Sequence, residues 1–129
     1  MPYPVFYNDA EKIVEATISG SSLEDSVNAR EAAARLCAEQ KCSALLVDLR
    51  ERMVPENITL QCFSFGVAVA HDLAGIYIAH VLPTDLKSRE DVEFAATVAA
   101  NRGAITKEFI DINEARKWLR QRIEPARPD

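Results

Sequence analysis

The residues of this chain whose types could do chemistry gather where apolar runs end. Asp48, Arg50 and Arg52 follow Ala44-Leu45-Leu46-Val47, Pro83-Thr84-Asp85 follows IYIAHVL, and Asp111 follows AITKEFI. In open α/β sheets, ligands bind beyond the carboxyl ends of the strands, and arginine's rigid fork suits a carboxylate or phosphate. The competing reading makes the same residues a solvated charged loop and a helix cap, and it is the preferred one. His71 and His80 are the only histidines. Nine residues apart across a strand start, they lack metal-ligand spacing on one element, and neither has a serine or cysteine at a recognisable catalytic spacing. His80, late in a strand, reads first as structural.

The chain has no G-x-x-x-x-G-K-[ST] loop, G-x-G-x-x-G turn or H-E-x-x-H pair, and four glycines leave little from which to build a phosphate cradle. Cys37, Cys42 and Cys62 are odd in number without a C-x-x-C pair, which suggests neither a disulfide framework nor a zinc knuckle. The sequence therefore assigns no catalytic residue, metal site or cofactor. The last apolar-periodic segment carries Arg116, Lys117, Arg120 and Arg122. Arg116 and Arg120, one turn apart, could meet a partner or an anionic lipid surface; basic residues late in a helix also complement its dipole, the simpler reading.

Fifteen basic against twenty acidic residues give a net charge of -5, which argues against a nucleic-acid or anionic-membrane binder. The composition, 48% hydrophobic and 27% charged, is that of an ordinary globular domain. MPYPVFYND lacks the pattern of a secretory signal, and no stretch approaches the ~18 apolar residues of a membrane span. The expected location is a reducing cytoplasm.

These residues need elements to position them. Residues 3 to 7 and 13 to 18 read as two short strands joined by a turn at Asn8-Asp9-Ala10-Glu11. Val14, Ala16 and Ile18 should point inward and Glu15 and Thr17 outward, and Pro2 and Pro4 place the first strand at an edge. Ser21 and Glu24 have capping-box spacing before a helix. Arg30 falls on its apolar stripe, where long basic side chains usually snorkel past a core edge. Residues 43 to 49 read as a central strand covered on both faces. Residues 57 to 74 fit both periods; length and the flanking Pro55 and Gly75 favour a helix. Strands at 76 to 82 and 104 to 110 and helices at 88 to 102 and 112 to 123 complete the pattern, with Asp111 and Glu114 as a second capping box and Trp118 on a core stripe. The implied fold is α/β: one domain over 1–123, a mixed, mainly parallel sheet of about five strands with about four helices in the order ββαβαβαβα, and a loose tail at 124–129.

Asn101-Arg102-Gly103 stands where a helix must stop and a strand must start. Glycine takes the left-handed conformation of such a stop without a Cβ penalty, so Gly103 is expected to be structural. The stretch FAATVAANRGAITKEFIDINEARKWL, 94 to 119, resembles the carboxyl end of small bacterial STAS-like proteins of the SpoIIAA-like fold, STAS being the sulfate transporter and anti-sigma factor antagonist domain. The similar positions are Asn101-Arg102-Gly103, Phe109, and Ala115 with Trp118-Leu119. LLVDLR, 45 to 50, resembles their central strand. The resemblance covers almost the whole chain in element order, and it implies the fold more than the function. In anti-sigma factor antagonists a serine near the start of the helix after the central strand is phosphorylated. Residues 48 to 57 here contain no serine or threonine, so no phosphorylation site is carried over.

The expected function is a non-catalytic STAS-like module of bacterial regulation that binds a protein partner or a small ligand, compatible with a homodimer. Its candidate surface is Asp48, Arg50, Arg52, Asp85, Arg116 and Arg120. The rival is a lipid or small-molecule carrier, or a small enzyme, with a pocket at the strand ends using Asp48, Arg50 and His80. CRAL-TRIO lipid-binding domains look similar in element order, and Phe63 to Val69 could line such a pocket, although dense apolar residues are more often core.

Overall fold

The computed structural model describes residues 3–123. The tail at 124–129 lies outside the described residues, as does Pro2. Two antiparallel strands open the chain, β1 (Val5–Asn8) and β2 (Ile13–Thr17). Helices and strands then alternate: α1 (Leu23–Gln40), β3 (Ala44–Asp48), α2 (Thr59–Asp72), β4 (Tyr77–Val81), α3 (Leu86–Ala100), β5 (Ile105–Phe109) and α4 (Ile112–Ile123). The strands lie side by side as β1-β2-β3-β4-β5, and all neighbours after the first pair are parallel. The α/β class, the mainly parallel sheet and the four helices are those implied by the periodicities. Gly103 takes φ +99°, the left-handed stop expected of it.

Register decides which side chains share a face. Val14, Leu45, Ile78 and Thr106 are aligned across the four parallel strands, and Ala16, Val47, His80 and Glu108 form the next row on the same face. Buried residues of this face join Ala29, Ala33 and Cys37 of α1 and Val69 of α2 in the larger core. The opposite face carries Ile13, Leu46, Ala79 and Val81, and α4 closes it with Ala115 and Leu119, both fully buried. Trp118 meets Tyr77 edge-on at 6.2 Å and Phe109 at 5.9 Å, which bears out its place on a core stripe.

Three local expectations are corrected. The second strand is not half-buried, because side chains of α4, which packs over β3 and β4, reach its outward side: Glu15 is 9% exposed and lies against Arg116 of α4. The cap of α1 is Ser22, whose Oγ accepts from the Asp25 N–H at 3.2 Å. Gly20, at φ +68°, is held in a parallel bridge with Arg52, which delays the helix by one residue. The helix expected from Ser88 starts at Leu86, since Asp85 caps it by accepting from the backbone N–H and hydroxyl of Ser88 at 2.9 and 2.7 Å. The ambiguous stretch 57–74 forms a helix, over Thr59–Asp72.

Candidate ligand-binding cavity

The helices on the α1 side of the sheet do not pack evenly. Gly66 sits where α2 crosses α3, and a Cβ there would lie 2.5 Å from the Ala95 carbonyl oxygen and 2.8 Å from Val98 Cβ. The missing side chain lets the two backbones approach, so α2 makes its main packing with α3 and only a thin contact with α1. A cavity of about 570 Å³ opens between α1, the α2–α3 pair and the sheet. This lies within the roughly 300–1,000 Å³ typical of small-molecule sites.

Its floor is the sheet face bearing Ala16, Leu45, Val47, Ile78 and His80. Ala29 and Ala33 of α1, Phe65, Val69 and Leu73 of α2, and Ala96 and Ala99 of α3 form much of the wall. Small residues create the space. Alanines at buried positions of α1 and α3 keep both helices helical yet leave unfilled volume that leucines would occupy.

Five charged or titratable side chains reach the lining: Arg30, Arg52, Cys62, His80 and Asp91; burial raises the pKa of the Cys62 thiol. Arg30 does not snorkel to solvent as expected. It crosses from α1 to α2, donates to Asp72 at 3.1 Å and lies over the Phe65 ring at 5.1 Å, so it latches the thin α1–α2 seam. Asp91 pairs with Lys87 at 3.2 Å. His80 Nδ1 is 3.2 Å from Thr106 Oγ1 and 3.8 Å from Glu108 Oε2. Arg52 is only 4% exposed. Its guanidinium donates to the carbonyls of Ser19, Gly20 and Ser22 and to Ser26 Oγ, pinning the β3–α2 loop to the start of α1. Burial lowers its pKa, a shift the charge of Asp25 partly opposes.

The remaining candidate residues do not converge on this cavity. Arg50 turns back onto Asp48, with bonds of 3.0 and 2.8 Å to its two carboxylate oxygens. Burial pushes the Asp48 carboxyl up, but the Arg50 contacts outweigh it and hold the group below its ordinary value. Asp85 is a helix cap. Arg116 lies across the sheet under α4, bonded to Glu15 at 2.8 and 2.9 Å and to Glu11 at 2.7 Å, with Arg120 3.5 Å from Glu11. Asp111 Oδ1 accepts from the Asn113 N–H at 2.7 Å; it is a turn-and-cap residue. His71 is exposed beside Asp72. Among the described residues no cluster of three or more His, Cys, Asp or Glu side chains is placed to hold a metal ion, and no helix is long and apolar enough to cross a membrane.

Sequence reasoning did not find the burial of Arg52, the Gly66 crossing or the Glu15–Arg116 pair. The first two had a signal: an arginine in a loop between buried elements, and a glycine facing the alanine-rich Ala95-Ala96 stretch. The third depends on Arg116 of α4 reaching across to β2, which nothing local encodes. Comparison with models of known protein families, with curated proteins and with solved structures gives no match for this chain.

Proposed function

We propose that this protein is a non-catalytic, STAS-like module of SpoIIAA-like architecture that holds a small apolar molecule between its sheet and the α1 and α2–α3 helices, in the bacterial cytoplasm. The observation that carries the reading is the cavity of about 570 Å³ with its predominantly apolar lining. Apolar cavities stay dry and accept apolar guests, and leaving one of this size empty sacrifices packing contacts on every wall. The order of strands and helices supports the STAS-like assignment.

A carrier or binding module fits better than an enzyme using Asp48 and Arg50. Those two side chains neutralise each other outside the cavity lining, leaving His80 alone of the three proposed groups against the space. A protein partner is the second reading, favoured by one feature: Leu60, Phe63 and Val67 leave apolar surface on α2, 73%, 39% and 37% exposed, with Leu60 also in the cavity lining. A second copy of the chain is one such partner.

Titration with a neutral apolar dye such as Nile red tests the cavity reading. Saturable binding at one site per chain, abolished in Ala33→Leu with the fold retained, is the expected result. Binding unaffected by Ala33→Leu would place the dye on the α2 surface and favour the partner reading.

A further inference from the structure

Resting on the cavity reading, we infer that the ligand is a single-chain amphiphile with a carboxylate head, its apolar body in the cavity and its head against Arg52. Of the charged groups in the lining, Arg30 and Asp91 have opposite-charge partners within 4 Å and His80 has Glu108 beside it. Arg52 forms no ion pair with a described carboxylate, although it is the most deeply buried of them. A buried charge without a counter-charge is costly, and the acceptors that hold Arg52 are three carbonyls and a hydroxyl, none of them anionic.

Its surroundings make the imbalance larger. The guanidinium lies at the first turn of α1, bonded to the carbonyl of the cap residue Ser22 and to Ser26, where the helix dipole is already positive. Asp25 is the acidic side chain whose field reaches it, and it does so from beyond ion-pair distance. The four bonds use the terminal nitrogens, and among the described residues Nε has no acceptor. Arg52 itself is part of the cavity lining. One fixed donor on a desolvated cation suits one carboxylate oxygen. The rest of the lining supplies the apolar contact that a hydrocarbon chain needs.

Isothermal titration at mildly alkaline pH with dodecanoate, dodecan-1-ol and methyl dodecanoate separates head from chain. Dodecanoate is expected to bind at least tenfold more tightly than either neutral analogue, with the preference shrinking in high salt, and Arg52→Met is expected to remove the preference while dodecan-1-ol still binds. Arg52 also ties two loops, so that variant could fail to fold; the three-ligand comparison on the unaltered protein then decides alone. Equal binding of acid, alcohol and ester would overturn the carboxylate assignment and leave the apolar cavity standing. Binding of none of the three would overturn both.

Discussion

At the residue scale, Glu15 and Gly103 show how differently a side chain and its absence act. Glu15 sits in β2 and is held by Arg116, reaching across from α4, and by Asn8, whose amide donates at 2.7 Å. The Arg116 contact holds its carboxyl below the usual carboxylate range against the opposing effect of burial. A carboxyl with a depressed folded-state pKa adds stability above its ordinary value, and that stability is lost as pH falls through the lowered one. Glu15→Gln is expected to cost about 1–3 kcal/mol at neutral pH, since Arg116 is only partly shielded from water, and to flatten the loss of stability on acidification; urea denaturation at pH 7 and pH 4 measures both. Gly103 differs: nothing lies within 4 Å of where its Cβ would be, so Gly103→Ala should cost about 1 kcal/mol from backbone conformation alone. Its role was readable from Asn101-Arg102-Gly103 because a helix stop is a local event. Glu15 was misread because alternation within a strand does not tell whether the second face will also be covered. The thiol of Cys37 is pushed up to about 12 by burial, so it should resist alkylation in the native protein and react only on unfolding, as mass mapping after brief iodoacetamide treatment would show.

At the scale of elements, the decisive contact is between α2 and α3. Residues 59–72 carry no charge before His71 and Asp72, which is why both strand and helix periods fitted them. The ambiguity ends once α2 is seen to bury Cys62, Gly66 and Val69 on one side while leaving Leu60, Phe63 and Val67 exposed. Gly66→Ala would replace a poor helix former by the best one, yet it drives a methyl group into the Ala95 carbonyl and Val98. Overpacking is expected to win, with a net loss of about 1–3 kcal/mol and a change in the cavity as α2 shifts. Thermal unfolding with and without bound dye would register both; a stabilised Gly66→Ala variant would show that the helices are not in close contact. Arg30 illustrates the limit of an intra-helix pattern: its place on the α1 stripe was legible, but Asp72 is 42 positions away. Strand ends and helix lengths came within about two residues because each depends on nearby apolar periodicity and turn residues.

At the scale of the whole molecule, five strands in sequential order put three crossover helices on one face and leave α4 for the other. The α4 face is closely filled by Leu46, Ala79, Val81, Ala115 and Leu119. The three-helix face is held apart by the α2–α3 crossing on one side and the Arg30 latch on the other, and the cavity is what remains between them. Of residues 63–69, expected as a candidate lining, Ser64, Phe65, Ala68 and Val69 line this space and Phe63 and Val67 do not; the division was not legible because core and pocket linings share a composition. The pocket expected beyond the strand ends around Asp48 and Arg50 lies instead against the sheet face, with His80 in its lining and those two outside it. The most direct measurement is native mass spectrometry of the protein purified gently from its own host. The expected result is the chain with one small, apolar molecule bound, released on denaturation and absent from Ala33→Leu. A bare chain that also fails to take up neutral apolar dye would contradict the account.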